Sequence, residues 1–154
     1  MNNKDIVLDF IKAINAHDTD KICSLMCDEH KFIDAHGNEV TGKETMRGGW
    51  QGYFTLFPDY KIEITDIFEK RESSQLTPVG KYKYGLIQTE FVRYDFIVAF
   101  GFASGTYGGN MENKENSFRL PASWKAMLEG GKIKLWQVYC DTKIPYDIIE
   151  RNKK

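Results

Sequence analysis

A chain of 154 residues, 42% hydrophobic and 28% charged, suits one globular domain with enough apolar material for a core. A net charge of −1, with Lys and Arg scattered, excludes a general pull toward nucleic acid or an anionic membrane. No apolar run approaches the roughly 20 residues that span a bilayer, and an odd count of 3 Cys without a secretory h-region at the start points to reduced thiols in a cytoplasmic compartment.

Residues 5–16 place Ile6, Val7, Phe10, Ile11 and Ile14 on one face, which predicts a helix capped by Asn2 or Asn3. Asp18 offers an N-cap for a second, short helix with Ile22, Leu25 and Met26 inward, and Cys23 and Cys27 share one face of it. Residues 30–35 read as a strand and residues 38–40 as its hairpin partner across Gly37. Thr41-Gly42-Lys43-Glu44 reads as a capping box. It opens a helix in which Met46, Trp50, Tyr53, Phe54 and Phe57 recur at helical spacing until Pro58 ends it. Gly48, Gly49 and Gly52 weaken that helix by roughly 0.5–1 kcal/mol each, so close approach to a sheet or room for a ligand must offset them.

Residues 60–70 alternate, with Tyr60, Ile62, Ile64 and Phe68 on one face and Lys61, Glu63, Thr65 and Glu69 on the other. Residues 71–92 lose that period, although residues 81–87 suit an extra strand. Residues 93–107 form a long strand with Tyr94, Phe96, Val98, Phe100 and Phe102 on one side and Ala99, Gly101, Ala103 and Gly105 on the other. Residues 108–116 read as a polar loop. Residues 118–129 and 132–141 form a hairpin about Gly130-Gly131, and Pro121 implies a bulge or a sheet edge in its first arm. Residues 145–151 suit a short helical turn. Helices placed ahead of an antiparallel sheet predict an α+β fold, with residues 1–154 as one domain.

Several strings carry a family resemblance: FIKAINAHD from Phe10 to Asp18, FIDAHG from Phe32 to Gly37, TGKE from Thr41, FPD from Phe57, GTYGG from Gly105, and GKI from Gly131 followed by Trp136 and Asp141. In this order they resemble the NTF2-like superfamily, within it the SnoaL-like polyketide cyclases, and more distantly the ketosteroid isomerases. The resemblance implies a cone, or cystatin-like roll, in which helices close the open side of a curved sheet around a pocket. It also implies a homodimer through the outer face of the sheet. Such a fold hosts cyclases, isomerases, dehydratases, epoxide hydrolases and binding modules, so function has to be argued from residues.

Asp34 stands where the resemblance implies the isomerase general base, a carboxylate that moves a proton if held dry enough. It equally suits a cap on the Gly37 turn. The places of the isomerase oxyanion donors are taken by Phe10, which has no donor, and Ser123, which has a weak one. That argues against a steroid isomerase. Asp141 stands where the cyclases carry their acid/base group. With Gln137 and Tyr139 it forms a polar row in the pocket if that face of the strand is the inner one; otherwise it is a surface carboxylate near Lys143. His36 suits an acid/base partner of Asp34 or an exposed turn residue. His17 and His30 read as structural or exposed. Trp50, Tyr53, Phe54, Trp124 and Tyr139 suit pocket walls or plain core. Cys23 and Cys27 lack the further ligands of a metal site, and Gly105 to Gly109 lacks the helix that a phosphate loop needs. Neither a metal nor a cofactor is expected.

Two function classes follow. One is a cofactor-free lyase or isomerase acting on a hydrophobic carbonyl compound through Asp34 and Asp141, assisted by His36. The other is a non-catalytic module that binds a small apolar molecule. A protein-interaction role has only the fold behind it. Nucleic acid and membranes are not expected partners.

Overall fold

The computed structural model describes residues 1–78, 89–110 and 112–153, and the side chains of these except within residues 72–94. Helix α1 (Asn3–Asn15) starts at Asn2, whose side chain accepts the Asp5 amide, and buries Ile6, Val7, Phe10, Ile11 and Ile14. Helix α2 (Thr19–Ser24) is capped by Asp18, which accepts the Lys21 amide at 2.9 Å. Met26 does not extend α2. It opens strand β1 (Met26–Ile33), because the chain pairs there with the last strand: the Ile133 amide donates to the Leu25 carbonyl at 2.8 Å. Cys23 and Cys27 therefore sit on α2 and β1, not on one helix face.

Strand β2 (Glu39–Thr41) returns antiparallel to β1. The capping box does not form. Thr41 belongs to β2, helix α3 (Lys43–Leu56) starts from Gly42 at φ 107° without a side-chain cap, and the Glu44 carboxylate accepts from Arg47 instead. Strand pairing holds Thr41 extended, and only glycine takes the next φ readily. Of the α3 glycines, Gly48 and Gly52 face open space.

Strands β3 (Lys61–Pro78) and β4 (Thr89–Thr106) pair from Lys61–Ser104 to Pro78–Thr89, so much of the stretch without clear period continues a long hairpin. The extra strand expected over residues 81–87 lies outside the described residues. A bulge at Thr65 inserts one residue between the Ile64–Gly101 and Asp66–Phe100 pairs and flips the later side chains. Ile62 and Ile67 thus pack on the core, while Phe68 is exposed, contrary to its expected place beside Ile62. The inner face of β4 is the small one: Ala99 and Ala103 are buried and Phe100 is exposed.

Strands β5 (Ser117–Glu129) and β6 (Lys132–Cys140) turn at Gly130 and Gly131, both at positive φ. Pairing of β5 with β6 begins at Ala122, so Pro121 has a strand neighbour on the β4 side only. The sheet order is β2-β1-β6-β5-β4-β3, mixed because β1 runs parallel to β6. Helices α1 and α3 pack on the inner face. The expected terminal turn is a longer helix, α4 (Lys143–Asn152). Ile148 buries it, and Asn152 and Asn116 exchange side-chain amide bonds beneath it. This is the expected α+β cone. Among the described residues no helix is long and apolar enough to cross a membrane.

Candidate functional site

A cavity of about 520 Å³ lies between the inner face of the sheet, α3 and α4. It exists because β4 contributes Ala103 where a larger side chain would fill the space, and because Gly49 brings no side chain from α3. Trp50 and Tyr53 project from α3, Trp124 from β5, and Trp136 and Val138 from β6. Pro145, Tyr146 and Ile149 of α4 complete the wall. The exposed lining residues Thr45, Gly49 and Tyr146 mark its open rim. The chain has 3 Trp, and every one lines this cavity. Trp124 and Trp136 stack with centroids 6.4 Å apart. The Nε1 donors of all three indoles are buried and have no hydrogen-bond partner among the described residues. Each such donor costs about 1–3 kcal/mol.

Asp34 reaches the cavity wall from the turn after β1. Its Oδ1 accepts the His36 and Asn38 amides, both at 2.9 Å, and its Oδ2 accepts the Asn38 side-chain amide at 3.0 Å. Partial burial raises its pKa, but these hydrogen bonds from Asn38 and His36 outweigh it and leave the carboxyl below its ordinary value. The group therefore acts as the turn cap, ionised and with both oxygens engaged.

His36 is exposed, outside the cavity wall, and its Nε2 lies 2.6 Å from the Thr142 hydroxyl, which does line the cavity. Its ring meets the Tyr146 ring edge-on at 5.1 Å. Asp141 is exposed, and its Oδ1 accepts the Lys143 amide at 2.9 Å. The parity of β6 is the reverse of a polar inner row. Trp136, Val138 and Cys140 face the cavity, while Gln137 and Tyr139 do not line it, and Tyr139 is 50% exposed. The physical reason is plain: this parity buries an indole and a valine and leaves a carboxylate in water.

Ser123 pairs with Tyr139 and Phe100 across the sheet and lies with them on the outer face, away from the cavity. Phe10 is fully buried but stands behind the wall, edge-on to Trp136 at 5.1 Å. Phe54 is likewise core, stacked on His17 at 4.0 Å and on Trp50 at 5.4 Å. His17 and His30 are structural: the His17 Nε2 meets the Tyr60 carbonyl and the His30 Nδ1 the Ile133 carbonyl, both at 2.9 Å. The cavity thus gathers Asp34, Trp50, Tyr53 and Trp124 from the expected set and leaves Asp141, His36, Tyr139, Phe10, Ser123 and Phe54 outside it.

Sequence reasoning missed Tyr60, Trp136, Cys140 and the α4 residues. The β6 residues carried a signal, since apolar Trp136, Val138 and Cys140 alternate with polar Gln137, Tyr139 and Asp141. Burial raises the pKa of Tyr53, Tyr60 and Cys140, so the polar groups they bring to the wall are neutral.

The sequence profile of the SnoaL-like domain family matches residues 7–135 of this chain. No curated protein matches it in sequence. Solved structures share its fold. An NTF2-like protein of unknown function from Cytophaga hutchinsonii superposes with a TM-score of 0.64 at 16% identity, over 95% of this chain and 96% of that one. TerC, co-crystallised with polyporic acid, gives 0.68 at 13% identity over 96% and 98%. An epoxide hydrolase of the LEH-like type from M. tuberculosis gives 0.63 at 12% identity over 96% and 88%.

Proposed function

Taking as premise that this chain belongs to the SnoaL-like domain family, we propose that its cavity binds one small, largely apolar molecule. The observation that carries this reading is the wall itself. Three indoles and the apolar faces of α3, α4 and β6 surround about 520 Å³, a volume suited to a small ligand. The one carboxylate that the described residues bring to the wall, Asp34, is engaged in its own turn. TerC, of the same fold, holds an organic compound in its crystal.

N-phenyl-1-naphthylamine is a suitable apolar probe, and quenching of the three indoles reports its binding. Saturable one-to-one binding is expected, and Ala103→Phe should abolish it by filling the cavity. Absence of saturable binding to the native chain would overturn the reading.

A second reading, a cofactor-free lyase or isomerase acting on a hydrophobic carbonyl compound, draws on Asp34 at the wall and on the contact between the Thr142 hydroxyl and His36. It requires turnover of enone or polyketide-like substrates that falls in Asp34→Asn or His36→Gln. The binding reading requires ligand affinity unchanged in both.

We also propose that the chain pairs with a second copy through the outer sheet face. There Phe68 and Phe100 stack at 5.8 Å while exposed, and Tyr139 lies on the same face. Three thiols without disulfide partners suit a reducing compartment such as the cytoplasm.

A further inference from the structure

Charge is distributed one way around the cavity. Among the described residues no Lys, Arg or His lines it, and the carboxylate on its wall is Asp34. Partial burial pushes that carboxyl up, but the hydrogen bonds from Asn38 and His36 pull it further down, so it stays ionised. Burial keeps Tyr53, Tyr60 and Cys140 protonated and neutral. The wall therefore carries a fixed negative charge and no positive one to balance it.

Aromatic rings enclose the same space from five elements: Phe32 from β1, Trp50 and Tyr53 from α3, Trp124 from β5, Trp136 from β6 and Tyr146 from α4. The indole Nε1 atoms are buried out of reach, so the indole surface that borders the cavity is carbon. The π-electrons of such rings attract a cation, and do so more strongly where water is excluded. The rings are set before a ligand arrives. Trp50 stacks on Phe54 at 5.4 Å, and Phe10 meets Trp136 edge-on at 5.1 Å.

The same wall discriminates between charged groups. A ligand carboxylate would meet Asp34 as a like charge and find no counter-ion. A primary ammonium brings three N–H donors, but both Asp34 oxygens already accept from Asn38 and His36. A fully methylated ammonium has no N–H to satisfy, and its methyl groups suit apolar walls.

We propose that the cavity is an aromatic cage for an organic cation, a quaternary ammonium carried on an apolar body, with the Asp34 carboxylate as the fixed negative charge on its wall. This rests on the binding reading above and adds a charge to its ligand.

The test displaces N-phenyl-1-naphthylamine from the full chain with three compounds of one shape class. They are benzyltrimethylammonium, its uncharged isostere neopentylbenzene, and benzylammonium. The quaternary cation should bind at least roughly tenfold more tightly than either of the others. In Asp34→Asn the ratio of its affinity to that of neopentylbenzene should fall at least about threefold. Asparagine keeps an oxygen to cap the turn, and retained naphthylamine binding shows that the variant is folded. Neopentylbenzene or benzylammonium binding the native chain as tightly as the quaternary cation overturns the cage and leaves the apolar cavity standing. An unchanged ratio in Asp34→Asn overturns it as well. Failure of the naphthylamine to bind the native chain overturns the cavity reading and this one together.

Discussion

Gly101→Ala tests the close approach of β3 to β4 in the sheet. A Cβ at Gly101 would lie 1.8 Å from the Glu63 carbonyl oxygen, 2.8 Å from its carbon and 3.0 Å from the Ile64 Cα. All three are backbone atoms, so no side chain can swing aside. The Thr65 bulge interrupts the ladder next to the Ile64–Gly101 pair, and glycine leaves room there. Ordinary van der Waals contact begins near 3.4 Å, so the strands must part by more than an ångström. Overpacking of this kind costs about 1–3 kcal/mol. One or two ladder hydrogen bonds lost beside it add about 0.5–1.5 kcal/mol each. A loss of about 3 kcal/mol is a large share of the roughly 5–15 kcal/mol that holds a domain folded. In a chain of this size it lowers Tm by about 6–12 °C. Thermal melting followed by circular dichroism measures it. Gly52→Ala serves as the contrast: its Cβ meets nothing within 4 Å on exposed α3, and it should stabilise by about 0.5–1 kcal/mol. A Gly101→Ala protein melting within about 2 °C of the native chain would refute the reasoning.

His30 should make stability fall on mild acidification. Burial holds its imidazole below the ordinary value of 6.5, outweighing the upward pull of the Ile133 carbonyl. The native ring stays neutral where the unfolded chain takes up a proton. Its contribution is therefore complete above about pH 6.5 and is lost below it, by up to about 1.4 kcal/mol per pH unit until the native ring protonates. Denaturant melts between about pH 7 and 5.5 should show the slope, and His30→Phe should remove it; an unchanged slope in that variant excludes His30 as the cause. On the outer face, Phe68→Lys with Phe100→Lys should convert a dimer to a monomer in sedimentation velocity, since both rings are exposed in the single chain and covered only by the pairing. A native chain that sediments as a monomer refutes the paired face.

Local chemistry was legible in the chain. Asn2 and Asp18 cap their helices because a short acceptor side chain beside free amides does so anywhere. Gly130-Gly131 turns the last hairpin, and α1 buries the face that its period marks. The α+β order and the SnoaL-like strings followed from the same reading. Failures came where a distant strand intervened. Thr41 was a good box residue until β1 pairing drew it into β2, and Met26 suited a helix until β6 lay beside it. The Thr65 bulge reversed Phe68 without any mark in the alternation.

The same division runs through the site. Helical spacing alone put Trp50 and Tyr53 on one face of α3, and both reached the cavity. Which face of β6 points inward was a one-residue question of register, and there Asp141 went to water while Trp136 went to the wall. By itself the sequence determined where helices and turns begin, because those choices are settled among residues within about four positions of one another. Only the tertiary structure decided that Tyr60 meets Tyr53 and that α4 closes a hollow beside Ala103. The first contact crosses the turn after α3, beyond the reach of one helical repeat; the second joins remote segments, and its geometry is set by the sheet's register and twist, which no local window contains.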